Sequence, residues 1–199
     1  MKYIDIRDKT VILNKEINWI NKYKGSGDCL EDYNPFKLTA LKRKTLSVPM
    51  RELLNKGIFK GKCIDFACGY GDDFRFLTHR DIDIVGYDKY NLEFKNDELL
   101  KDTYDVLTCN YCFNVIPKQE HKELLEQIKK LSENIYISVR ADSKAIKDTW
   151  IYIEEYDCWL TSKGSYQRFY TKDNVKEYFG EVEYLINNNN LKLFKLKIN

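Results

Sequence analysis

Ile64-Asp65-Phe66-Ala67-Cys68-Gly69-Tyr70-Gly71-Asp72-Asp73 is the stretch on which the reading of this chain turns. Lys62 to Phe66 is a short apolar run that contains one acid, and a glycine-bearing turn follows it. Asp72 to His79 then reads as a helix. Glycines let a backbone approach a ligand closely, and a helix N-terminus presents unpaired N–H groups. Asp83 to Tyr87 reads as a second strand ending at Asp88, and Tyr104 to Cys109 as a third. Pro117 to Glu133 carries Leu124, Leu125, Ile128 and Leu131 on one helical stripe, and Asn134 to Val139 reads as a strand again. Strands alternating with helices predict an α/β fold with a parallel sheet covered on both faces. Ligands in such sheets bind at the carboxyl ends of the strands, where the strand order reverses.

The flanks differ in character. Val11 to Lys24 has a helical period and Gly25-Ser26-Gly27-Asp28 breaks it, so residues 1–36 are predicted to be a helical appendage to a domain spanning 37–199. A helix should open at Ser47-Val48-Pro49, with serine as its cap and proline in its first turn, and end at Gly57. Lys172 to Phe179 predicts a short helix closed by Gly180. Glu181 to Ile186 and Leu191 to Ile198 predict a terminal hairpin across Asn187-Asn188-Asn189-Asn190, because asparagine tolerates positive φ.

With 199 residues, 43% apolar and 32% charged, the chain can bury a full core without disulfide or metal staples. No apolar run is long enough to span a bilayer, and Met1 to Lys9 is too charged for a secretory leader. Six cysteines raise the question of a disulfide or metal framework. Cys63, Cys68, Cys109 and Cys112 lie in apolar segments, however, and the Cys109-x-x-Cys112 pair has no second pair to complete a zinc site. His79 and His121 are the chain's two histidines, and both read as surface residues. These features predict reduced thiols, no metal, no membrane partner and a cytoplasmic location. The net charge of +2 hides a basic block, Lys37 to Lys62, with eight basic residues against Glu52, and an acidic stretch from Asp81 to Asp105. The block is either a phosphate-facing patch or a face balanced by the acidic stretch.

Asp88 falls at the end of the second strand, where a ribose-binding carboxylate sits in nucleotide-binding α/β folds. A nicotinamide dinucleotide would want a third glycine where Phe74 stands, and Asp72 and Asp73 would repel its pyrophosphate. The acids suit a ligand with positive charge, such as the sulfonium and ammonium of S-adenosylmethionine (SAM).

The stretch resembles motif I of the class I SAM-dependent methyltransferases, acid-x-Gly-x-Gly-x-Gly, with Ala67 in place of the first glycine. The resemblance implies a Rossmann-like sheet of order 3-2-1-4-5-7-6 whose last strand is antiparallel, which the hairpin would supply. It implies that Asp65, Gly69 and Gly71 line the methionine moiety, that Asp88 holds both ribose hydroxyls, and that Ala67 and Asn110 also belong to the cofactor site. Between Asp88 and Asp105 the chain is too short for a full third strand and helix, so that strand should be shortened or absent. Tyr90 is a candidate to stack on the adenine. Residues 37–142 resemble more narrowly the methyltransferases associated with DNA phosphorothioation systems. That likeness runs through Thr39 to Arg51, the glycine motif, Asn110-Tyr111-Cys112-Phe113-Asn114-Val115-Ile116 and Val139-Arg140-Ala141-Asp142.

The Asn110 segment follows the strand beside the first, which faces the methyl group in this fold. Asn110, Tyr111 and Asn114 are therefore the catalytic or positioning candidates. Lys42 and Arg43, with Tyr166 and Arg168 from the polar-aromatic segment Gly164 to Tyr170, are the candidates to meet a substrate's phosphates and bases. Arg43 or Arg51 reaching the SAM carboxylate is the competing placement. The expected activity is methyl transfer to a nucleic acid or one of its components; the alternative is a SAM-binding module serving as a partner in a defence or modification complex.

Overall fold

The computed structural model describes residues 35–141 and 143–198, so the predicted appendage helix, its Gly25–Asp28 linker and Cys29 lie outside the described residues. The chain opens on α1 (Pro35–Thr39) and α2 (Val48–Asn55). Ser47 caps α2 and Gly57 follows it at φ +64°, as the serine and glycine signals predict.

The central sheet is built from β1 (Cys63–Phe66), β2 (Ile84–Tyr87), β3 (Val106–Asn110), β4 (Ile135–Arg140), β8 (Val182–Asn187) and β9 (Leu191–Leu196). Its order is β2-β1-β3-β4-β9-β8, parallel from β2 to β4, with β9 antiparallel to both neighbours. Between β2 and β3 the chain makes only a 3-10 turn, Asp97–Lys101, so among the described residues no strand lies outside β2. The order reverses between β1 and β3, and the strands' carboxyl ends open there.

Every residue of β1 is buried, the mark of a strand covered on both faces. Ile64 and Phe66 pack with Leu107, Ile137 and Phe194 on one face. Cys63 packs with Met50, Leu53 and Leu77 on the other. Helix α3 (Asp72–Thr78) follows β1, and α4 (Lys118–Leu131) buries Ile128 and Leu131, two residues of its predicted stripe. Helix α5 (Lys172–Phe179) is closed by Gly180 and leads into the hairpin. The sequence reading missed one element. Residues 151–167 form a three-stranded antiparallel sheet, β5 (Ile151–Ile153), β6 (Cys158–Leu160) and β7 (Tyr166–Gln167), with its own core of Ile153, Cys158, Leu160 and Tyr166. Strands of two or three residues leave too short an alternation to be read. Among the described residues no helix is long and apolar enough to cross a membrane.

Candidate functional site

The turn after β1 takes left-handed backbone at three alternate residues, Ala67 (φ +59°), Gly69 (φ +62°) and Gly71 (φ +74°). At Ala67 the side chain carries a cost of about 1–2 kcal/mol that glycine would avoid. Ala67→Gly is therefore expected to leave stability unchanged or raise it by up to about 1 kcal/mol, after the entropy that glycine returns to the unfolded chain. A loss of more than about 1 kcal/mol in denaturant unfolding would contradict this backbone account.

Asp88 anchors the turn to the end of β2. Its Oδ2 accepts the Gly69 N–H at 2.9 Å, and its Oδ1 accepts those of Tyr90 (2.8 Å) and Asn91 (3.0 Å). Asn91, which the sequence reading did not single out, donates from Nδ2 to the Gly69 carbonyl at 2.8 Å. The Gly69 peptide is thus pinned on both sides. With two acceptor sites on each oxygen, Asp88 keeps one for a ligand. The carboxylate expected to receive the ribose hydroxyls thus already accepts three backbone N–H groups.

A cleft of about 790 Å³ opens over these strand ends. Asp65, Ala67, Gly69, Asp88 and Asn110 all line it, and Gly71 does not. A Cβ at Gly71 would sit 2.5 Å from Phe74 and 2.8 Å from Phe94, so this glycine serves the turn and the packing beneath it. A Cβ at Gly69 would meet only Ala40, at 3.5 Å. Asp65, Asp73 and Asp88 are each less than 10% exposed. Burial above all, then the charge of Asp73, pushes the Asp65 carboxyl up to about 8, against the hydrogen bond it accepts from Thr108 at 2.9 Å. The Asn110 Oδ1 accepts from Ser138 at 2.8 Å, and its side-chain amide helps hold the Asp65 carboxyl down, although its buried Nδ2 makes no bond of full hydrogen-bond geometry.

The acids at the start of α3 are committed differently from their sequence reading. Asp72 accepts the Arg43 N–H at 2.6 Å, and Asp73 accepts the Ser47 N–H at 2.7 Å. The Arg43 guanidinium lies 3.7 Å from Asp73. The two carboxylates therefore hold the 43–47 strap over the turn, and Asp73 also faces the cleft. Arg43 lines the cleft beside Tyr111, whose ring centre is 5.9 Å from it. Lys42 is exposed outside the cleft, 5.2 Å from the Tyr70 ring, and Arg51 is exposed on α2. The acidic stretch meets the basic block at Lys62, which pairs with Asp102 at 2.7 Å.

Of the two candidates after β3, Tyr111 faces the cleft from left-handed backbone (φ +61°), and burial raises its phenol, which is thus neutral at pH 7. Asn114 touches the cleft but is 1% exposed and fully used. Its Oδ1 accepts the Arg140 N–H at 3.0 Å, and its Nδ2 donates to the Arg168 carbonyl at 2.5 Å. It positions β4 against the segment after β7.

Arg168 and Tyr166 lie outside the cleft lining. Arg168 is 3% exposed and donates to the carbonyls of Asp157 (2.8 Å) and Tyr156, with the Asp157 carboxylate 3.5 Å away. Its NH1 lies 3.0 Å from His121 Nε2. His121 is buried rather than on the surface, and burial first, then the Arg168 charge, lowers its pKa to about 3. The neutral ring is thus an acceptor for Arg168. Tyr166 is buried against Tyr156, with ring centres 5.6 Å apart. Neither substrate candidate presents itself to a ligand, because partners distant in sequence take both up. The Cys109 and Cys112 thiols contact each other, and this contact and burial raise the Cys109 thiol.

No protein-family model and no curated protein matches this sequence. Solved structures do. DhpI in complex with S-adenosylhomocysteine (SAH) superposes with a TM-score of 0.53 at 11% identity, over 74% of this chain and 81% of that one. The 1,6-didemethyltoxoflavin-N1-methyltransferase of Burkholderia thailandensis, with its substrate and SAH bound, gives 0.53 at 10% identity over 92% and 87%. TehB from Haemophilus influenzae gives 0.51 at 15% identity over 78% and 64%. The sheet order, the antiparallel β9 and these superpositions agree: the chain has the Rossmann-like class I methyltransferase fold, with no strand outside β2 among the described residues.

Proposed function

We propose that the protein binds SAM in this cleft and transfers its methyl group to a nucleic acid or a nucleic-acid component. The observation that carries the cofactor reading is the convergence of the pinned Gly69 turn, Asp88 and the buried acids on the switch between β1 and β3. The residues present fit the group. Asp88 offers its remaining acceptor site to a ribose hydroxyl, the Asn110 amide offers a donor beside Asp65, and Asp65 and Asp73 face positive charge. SAM supplies an electrophilic methyl on a sulfonium, so the protein's main tasks are in-line approach and exclusion of water. Tyr111 orients the acceptor as a neutral phenol, and the strap from Ala40 to Ser47 closes the cleft's edge. SAH in the superposed structures supports the cofactor part of this reading.

Asp65 gives this reading a pH signature. Its raised pKa means the folded protein holds a proton that the unfolded chain has released between about pH 4 and 8. Folding stability from this group therefore falls as pH rises through that window. A cationic ligand favours the ionised carboxylate, so SAM affinity should rise from pH 6 to 8, and Asp65→Asn should flatten that rise while stabilising the apo protein at pH 8. Affinity independent of pH in the unmodified protein would count against Asp65 facing the sulfonium.

The nucleic-acid acceptor rests on the basic block and on the narrower likeness of residues 37–142 to phosphorothioation-associated methyltransferases. Lys42 and Lys44 are exposed and flank Arg43, which lines the cleft. Replacing both with Ala should flatten the log–log salt dependence of nucleic-acid binding by roughly 1.5–2 units and leave SAH affinity intact. Labelled methyl from SAM should appear in nucleic acid or nucleotides. A slope unchanged by the double variant, with no label in either pool, would overturn this acceptor class.

A further inference from the structure

We infer that Arg140, at the end of the cleft away from Asp65, Asp73 and Asp88, is the anchor for a phosphate or carboxylate group on the methyl acceptor. The inference rests on the methyltransferase reading and deepens it. Asp88 follows β2, Asp65 lies one residue before the end of β1, and Asn110 and Arg140 end β3 and β4; these strands lie side by side in that order. At about 4.8 Å per strand, Arg140 stands roughly 10 Å across the sheet from the Asp65 strand. Asp65, Asp73 and Asp88 gather at the β1 and β2 ends with Arg43 and Lys89 also in the lining, whereas Arg140, at the end of β4, lies next to Asn190, whose carbonyl accepts the Ala141 N–H at 3.0 Å.

Arg140 is held as a binding group would be. Its N–H donates to Asn114 Oδ1 at 3.0 Å, and its carbonyl accepts the Tyr170 N–H at 2.9 Å. Its guanidinium carbon lies 5.5 Å from the Phe169 ring centre, and Phe169 in turn stacks on Trp150 at 6.3 Å and 12°. A guanidinium that rests its face on an aromatic ring keeps its in-plane N–H groups for a planar or tetrahedral oxyanion. Among the described residues the ion pairs leave Arg140 without an acid, while Arg43 has Asp73 and Arg168 has Asp157. Tyr111 lies within the field of both Arg43 and Arg140, which places the anion beside the phenol that orients the acceptor.

The test uses the full chain saturated with SAH and two matched pairs of probes. Thymidine 5′-monophosphate is compared with thymidine, and 4-hydroxybenzoate with 4-hydroxybenzyl alcohol, by calorimetry. At least one anion should bind roughly tenfold or more tighter than its neutral partner. The phosphate arm prevailing identifies a nucleotide-like acceptor, and the carboxylate arm a small organic acid. Arg140→Gln should abolish the preference, Arg140→Lys should keep part of it, and both should bind SAH as the unmodified protein does. No preference in either pair, or a preference that survives Arg140→Gln, would overturn the inference. Failure of SAH to bind the unmodified protein would instead overturn the methyltransferase reading, and the same probes without SAH would then decide the anion anchor separately.

Discussion

Gly71→Val should lower the melting temperature by roughly 10 °C, the largest effect expected of any change in the motif. Two costs combine. The residue sits at φ +74°, where a β-branched side chain is strained by about 1–2 kcal/mol or more. Its Cβ would also press to within 2.5 Å of Phe74 and 2.8 Å of Phe94, an overpacking worth about 1–3 kcal/mol. Their sum is a large fraction of the roughly 5–15 kcal/mol that holds a domain together. Thermal unfolding followed by circular dichroism measures it. A melting temperature within about 2 °C of the unmodified protein would show that the turn does not need glycine there.

Asp88→Ala should weaken SAM binding at least about tenfold, because a charge-assisted hydrogen bond to a ribose hydroxyl contributes roughly 1.5–3 kcal/mol. The three N–H groups it releases would also free the Gly69 peptide, which widens the loss. Asp88→Asn separates the two effects. An amide oxygen can keep part of the backbone anchoring, yet it loses the charge and half the acceptor sites. Affinity should then fall in the order unmodified, Asn, Ala. A folded Ala variant with unchanged SAM affinity would place the cofactor elsewhere.

Local signals made the framework legible. The β1 turn announces itself through Gly69 and Gly71, α2 through Ser47 and Gly57, and the terminal hairpin through four asparagines, because each feature is decided within a few residues. Asp88 was legible for the same reason, at the end of a short apolar strand. What escaped the sequence is what the fold brings together from afar. The partners of Arg168 are His121, 47 residues away, and the Tyr156–Asp157 turn, so an arginine that reads as a phosphate ligand becomes the centre of a buried network. Asp72 and Asp73 read as a cation's seat, but 26 to 29 residues upstream the Arg43 and Ser47 N–H groups claim them. Asn91 carried one faint signal, an Asp-x-x-Asn spacing from Asp88 that suits a side-chain-capped turn. The β5-β6-β7 sheet carried none.

The central claim is that the cleft over the β1 turn is a SAM site, and calorimetric titration of the unmodified protein with SAM, SAH and NAD tests it most directly. SAM and SAH should bind with one site per chain, and NAD should bind far more weakly, because Asp73 stands at the helix start where a pyrophosphate would have to lie. Binding of NAD tighter than that of either adenosyl ligand would contradict the account.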